Sequence, residues 1–237
     1  MTSGASELWV CDLPAVEYRA ALALQERVRA ARQLELIPDT LLLLEHPPVY
    51  TRGRRSNARE LPMGEAWYRA QGIDVVDTDR GGKLTYHGPG QLVGYPIIRI
   101  DDVISYLRTM EQAIVAALAD AGVAAHARPD DGPDYTGVWT AAERKIASIG
   151  VHVARGVTTH GFAINVENDL QPFGWVVACG LDDVQMTSVV KETRHAGEAP
   201  LPLPAVRASM ATRFAEAFGL TATTVAVERL DAAAAPA

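Results

Sequence analysis

"KIASIGVHVARGVTTHGFAINVE", residues 145–167, decides the fold. Two apolar stretches flank a short Ala-Arg-Gly break, which predicts two strands joined by a tight turn containing Gly156, with Lys145 opening the first strand. Working outward, "IDVVD" (73–77) and "GQLVGYPII" (90–98) read as further strands, and the glycine-rich stretch between them as a connection. "TLLLLEHPPVY" (40–50) reads as a buried strand stopped by Pro47-Pro48, because proline cannot donate to a ladder. Helices interleave with these strands. Pro14 suits a first turn, and Val16, Ala20, Ala23, Leu24 and Val28 recur at helical spacing to about Ala31. Asp102 can cap a helix whose stripe is Val103, Leu107, Met110, Ile114 and Leu118, with Gly122 as its stop. A last helix is expected from Pro204 to about Phe218, ending at Gly219, followed by an Ala-rich terminus with no reason to pack and a mobile tail at 231–237. With no repeats and no Gly/Ser linker, the pattern is that of one α/β or α+β domain.

Composition narrows the function. The 237 residues are 48% apolar and 22% charged, ordinary values for a globular chain, and no apolar run reaches the roughly 18 residues of a membrane span. The opening "MTSGASELWVCDLP" lacks a basic region followed by an apolar stretch, so a cytoplasmic location is expected. A net charge of −7 argues against bulk nucleic-acid binding. Cys11 and Cys179 lie far apart and are each read as a free thiol rather than a disulfide.

The candidates for chemistry are few. "RGGKLTYHGPGQ" (80–91) follows neither the dinucleotide fingerprint nor a phosphate-cradling loop, yet its glycines would let a ligand approach the backbone beside Tyr86 and His87. Cys179, between Ala178 and Gly180, is a small buried hydrophobe unless a cation or backbone N–H groups favour its thiolate. Cys11 alternates with Trp9 and Leu13 and belongs to packing. Lys145 is a solvated strand end unless it points inward, where it must find an anion. His46, His152 and His160 are weaker candidates, and no ligand spacing suggests a metal. Arg52, Arg54, Arg55 and Arg59 in "TRGRRSNAR" form either a solvated loop or a docking patch for an acidic partner.

Taken together, "RGGKLTYHGPGQ", "ERKIASIGVHV", "HGFAINV" and "ACGL" followed by "MTSV" resemble the lipoyl(octanoyl) transferases, also called lipoate-protein ligase B, from about Thr40 to Val190. The resemblance implies a mixed β-sheet flanked by helices, similar to the catalytic domain of biotin protein ligases and lipoate ligases, with the catalytic domain over 1–230. It implies an acyltransferase that moves an octanoyl group from acyl carrier protein to a lysine of lipoyl domains, those of 2-oxoacid dehydrogenase complexes and the glycine cleavage H protein. No cofactor, metal, nucleic acid or membrane partner is implied. Carried over by position, Cys179 becomes the acyl-thioester nucleophile and Lys145 the group that lowers its pKa. The acyl-binding residues would be Arg80, Gly81, Gly82, Lys83, Leu84, Thr85, Tyr86 and His87, then Ser148, Ile149 and Gly150, then Gly161, Phe162 and Ala163.

Exchange of one thioester for another is nearly even in energy, so the first half needs no ATP, and nucleophilic catalysis splits the transfer in two. Each half passes through an oxyanion for which N–H groups near Gly180 or Gly150, or the His87 side chain, are the candidate donors. Two alternatives stand beside this reading. "GRR" at 53–55 is loosely similar to the basic nucleotide loop of biotin ligases, which would make the protein an ATP-dependent lipoate or biotin ligase. The other is a non-catalytic module that binds carrier protein.

Overall fold

The computed structural model describes residues 6–177 and 184–234. Its first strand, β1 (Glu7–Ala15), carries apolar side chains to both faces and leads into α1 (Tyr18–Gln33). Pro14 therefore ends a strand, in a register shift between Asp12 and Ala15, and does not open the helix as its sequence position suggested. Glu17 caps α1 instead, accepting from the Ala20 N–H, and the buried face is Tyr18, Ala21, Leu24, Gln25, Val28 and Ala31; Ala20 and Ala23 lie off that face. Then come β2 (Asp39–Glu45), β3 (Val49–Arg52), α2 (Glu65–Ala70), β4 (Asp74–Asp77), β5 (Thr85–His87) and β6 (Gln91–Ile97). The glycine-rich connection thus holds a short strand of its own. Asp102 Oδ1 caps α3 (Val103–Asp120) by accepting from Ser105 N–H at 2.6 Å. Of the expected α3 stripe, Met110, Ile114 and Leu118 are core, whereas Val103 is 39% exposed.

The second half adds β7 (Ala125–Ala127), β8 (Gly137–Thr140), β9 (Lys145–Ala154) and β10 (Val157–Asn165), then α4 (Val189–Ala196) and α5 (Leu203–Phe218). β9 and β10 form the expected hairpin, closed by Arg155 (φ 49°) and Gly156 (φ 75°), the pair of positive φ angles that a tight two-residue turn demands. Gly219, left-handed at φ 65°, ends α5 as expected. Beyond Gly219 the chain departs from the sequence expectation of an unpacked terminus: β11 (Thr221–Thr224) pairs in parallel with β1, and α6 (Val227–Ala234) packs on α1 with Leu230 fully buried. Residues 235–237 lie outside the described residues.

Eight strands make one mixed sheet in the order β11-β1-β2-β6-β10-β9-β8-β7, and β4-β3-β5 make a smaller one. In β2, Leu41 and Leu43 join the core under α3 and α5, while Leu42 and Leu44 join the core under α1 and α6. Burial on both faces explains a continuous rather than alternating apolar run. Among the described residues no helix is long and apolar enough to cross a membrane.

Candidate active site

The β8–β9 pairing stops at Gly137–Ser148, so β9 beyond Ser148 has an open edge. The glycine-rich segment takes that place: Gly81 N–H donates to Val151 C=O at 2.9 Å. A Cβ at Gly150 would stand 2.8 Å from the Gly81 carbonyl, so only glycine permits the approach. On the other side, Arg54 and Arg55 N–H groups donate to the Arg80 and Gly82 carbonyls, and a Cβ at Gly53 would lie 2.5 Å from Gly82 O. Here the glycines bring backbone against backbone. The Arg80 guanidinium secures the arrangement from below, its Nη2 donating to Thr51 O at 2.6 Å and Oγ1 at 2.8 Å, its Nη1 to Gly81 O at 3.0 Å.

Between this segment and the β9–β10 hairpin lies a cavity of about 300 Å³, at the small end for small-molecule sites. The structure brings together around it Arg80, Gly81, Gly82, Lys83, Leu84, Thr85 and His87, Ser148, Ile149 and Gly150, Gly161, Phe162 and Ala163, and Lys145. Tyr86 is the exception. In strand β5 successive side chains point to opposite faces, so Thr85 and His87 face the cavity and Tyr86 turns into an aromatic cluster with Tyr50 and Phe173. Cys179 and Gly180 lie outside the described residues.

Lys145 is 2% exposed. Its N–H donates to Gln185 O and its C=O accepts from Thr187 N–H, which ties it to the chain beyond residue 183. A register shift in the β8–β9 ladder, where Val138 opposes Ala147 but Trp139 opposes Lys145, makes Ile146 the extra residue of a bulge, a device that re-aims neighbouring side chains. The ammonium lies 5.2 Å from the centre of the buried Trp139 ring.

The end of the cavity near Tyr18 and Tyr95 is polar, with Arg80 as the charge that acts on both hydroxyls. Gln91 Nε2 donates to Tyr86 O and Asn165 Oδ1, so its Oε1 must accept from His87 Nδ1–H at 2.8 Å. Burial, reinforced by His46, pushes the His87 imidazole well below its ordinary value, so Nε2 carries no proton. In this tautomer His87 Nε2 is an acceptor, which leaves the backbone N–H groups as the better-placed donors for an oxyanion. His46 is fixed likewise: Nδ1–H donates to Val16 O and Nε2 accepts from the Tyr95 hydroxyl, both at 2.6 Å, and burial lowers its pKa to about 4. His160, at φ 57°, donates through Nε2 to Asp79 at 2.7 Å and holds that carboxyl down to about 2. His152 Nε2 stands 3.5 Å from the same carboxylate.

At the mouth, Lys83 and Arg55 meet the Asp134 carboxylate at 3.2 and 2.8 Å. Arg52 is neutralised by Asp77 and Glu65, while Arg54 and Arg59 are exposed. Sequence reasoning missed Tyr18, Tyr95 and Glu60. Glu60, 2% exposed, accepts from Leu84 N–H at 2.9 Å, and its carbonyl accepts from Val177 N–H. No local pattern marks these residues, because each meets the site from a different segment. Cys11 is buried in the core as expected, and burial raises its thiol to about 11.

Comparison with known proteins agrees with this architecture. The model of the lipoyl protein ligase A/B catalytic domain matches residues 17–215. The octanoyltransferase of Mycobacterium tuberculosis (strain ATCC 25618 / H37Rv) is 47% identical over 192 residues, 79% of this chain and 78% of that one. The octanoyltransferase of Thermobifida fusca is 43% identical over 194 residues, 78% of each chain. Among solved structures, a putative lipoate protein ligase from T. acidophilum with bound lipoic acid superposes with a TM-score of 0.75 at 20% identity, covering 98% of this chain and 93% of that one. A biotin protein ligase from Leishmania major has a TM-score of 0.54 at 12% identity, over 91% of this chain and 76% of that one. The last two establish a shared fold; the sequence relatives go further, and the chain belongs to the lipoyl protein ligase A/B catalytic-domain family, in its octanoyltransferase branch of acyltransferases.

Proposed function

We propose that the protein transfers an octanoyl group from acyl carrier protein to the lysine of lipoyl domains, in the cytoplasm, through a thioester on Cys179. The acceptors would be the lipoyl domains of 2-oxoacid dehydrogenase complexes and the glycine cleavage H protein. The observation that carries this reading is the cavity that gathers Lys145 with the glycine segment and the β9–β10 hairpin. Its lining is rich in backbone and apolar side chains, which suits a fatty chain better than a nucleotide.

The chemistry balances with one lysine serving both halves. A Cys179 thiolate, favoured by the Lys145 ammonium, attacks the carrier thioester carbonyl. The C–S bond to the carrier breaks and the departing thiolate takes the Lys145 proton. In the second half the acceptor amine attacks the Cys179 thioester, its proton passes to the neutral Lys145 amine, and Cys179 leaves as thiolate. The ammonium–thiolate pair is restored and no ATP is consumed. Backbone N–H groups remain the candidate donors for each oxyanion.

Intact-protein mass spectrometry after mixing with octanoyl carrier protein tests the proposal. The wild type should gain one octanoyl mass without ATP, and Cys179→Ala should gain none and lose transfer to a lipoyl domain. Transfer that survives Cys179→Ala and needs ATP would instead make the protein a ligase. Carrier binding with neither acylation nor transfer would make it a binding module.

A further inference from the structure

Glu111 is fully buried in the middle of α3, on the face whose other members are Tyr106, Met110, Ala113, Ile114, Ala117 and Leu118. A carboxylate there is costly unless every oxygen is engaged. One oxygen is bonded by Arg108, a turn away and 30% exposed. The other, Oε1, accepts from the Gly137 N–H at 3.0 Å.

Gly137 opens β8 directly after Thr136, a residue of the cavity wall. Its φ of 135° is one that side chains rarely adopt, and a Cβ on it would stand 2.4 Å from the Ala147 carbonyl oxygen of β9 and 3.0 Å from Lys145 Cε. The Lys145 stem thus lies against a bare stretch of backbone. Glycine is the residue with most freedom to lose, so such a stretch holds its place only if something outside it does the holding. β8 is four residues long and its ladder with β9 is broken by the bulge beside Lys145. The Glu111 hydrogen bond adds a side-chain anchor to the single pairing of Gly137 with Ser148 at the end of that ladder.

We infer that Glu111 is a positioning residue: by anchoring the Gly137 backbone it fixes the wall against which the Lys145 side chain lies, and so aims the ammonium into the cavity. The inference concerns where Lys145 points. What Lys145 does there rests on the proposed thioester mechanism, and the two are tested separately.

Competitive acetylation of the folded protein reads the first directly, since Lys83, Lys145 and Lys191 are the chain's lysines and give separate peptides. Lys145 should be the slowest to react in the wild type. Glu111→Leu should raise its labelling several-fold relative to Lys191, and Glu111→Gln, which keeps an acceptor oxygen, should restore the wild-type rate. Circular dichroism establishes that each variant is folded, and Glu111→Met serves where Glu111→Leu does not fold. Unchanged Lys145 labelling in a folded Glu111→Leu or Glu111→Met, or a Gln variant as reactive as Leu, would overturn the inference. The pH profile of Cys179 alkylation is the second readout. It should shift upward in Lys145→Ala and part of the way in Glu111→Leu; a shift in Lys145→Ala alone would overturn the role of Glu111, and no shift in Lys145→Ala would overturn the Lys145–Cys179 pairing while leaving the labelling result to decide for Glu111.

Discussion

The two walls of the cavity are built on opposite principles. The β9–β10 wall is a register-locked hairpin whose stability comes from a repeated ladder and from apolar side chains shared with the core. The glycine wall has little ladder of its own and is held by Arg80 on Thr51, Glu60 on Leu84 and Gln91 on His87. Distributed support tolerates local damage; support through a few buried polar groups does not, because each one lost strands a partner that water cannot reach.

The largest expected effect comes from that contrast. Arg80→Leu leaves both Thr51 oxygens without their donor and should cost about 3 kcal/mol of stability. Ile149→Val in the hairpin wall removes one half-buried methylene and should cost about 1 kcal/mol or less. Urea midpoints of the two variants measure the difference, and equal costs would break the comparison.

Acidification tests the polar support next. His46, which holds Tyr95 and the α1 entrance, has a folded pKa of about 4 against an ordinary 6.5. Below 6.5 the unfolded chain therefore binds the proton more readily than the native one. Stability should fall as pH drops from about 6.5 to about 4, by up to about 3 kcal/mol for this group. Urea midpoints across that window should show the slope, and His46→Gln should make it shallower, with His87 and His160 supplying what is left.

The smallest effect sharpens the other side. Arg155 adopts a left-handed conformation that Asn tolerates better, and Asn-Gly is the favoured pair for this turn. Arg155→Asn should raise stability by about 0.5–1 kcal/mol with octanoyl transfer unchanged. A thermal melt paired with a transfer assay checks both.

The same contrast explains what could be read before the structure. The hairpin, the Asp102 cap and the Gly219 stop are local events, written in adjacent residues. The cavity lining emerged from three motifs that share a family resemblance, but the alternation inside β5 that turns Tyr86 away was invisible while that stretch read as a loop. β11 was missed because "TATT" is short and polar, and its partner lies more than two hundred residues earlier. Pro14 misled because the same residue suits a first helical turn and an irregular strand end. Glu111 drew no notice in the sequence, because its role depends on a backbone N–H from β8.

One consequence of that late pairing concerns how the chain is made. On a ribosome β1 emerges ahead of the other described strands, apolar on both sides, and its outer rim stays without its β11 neighbour until Thr221–Thr224 emerges. A bare rim of this kind recruits strands from other molecules. Premature termination anywhere before Thr221 therefore leaves a nascent product whose β1 rim is open to self-association, even where the rest of the sheet has already formed.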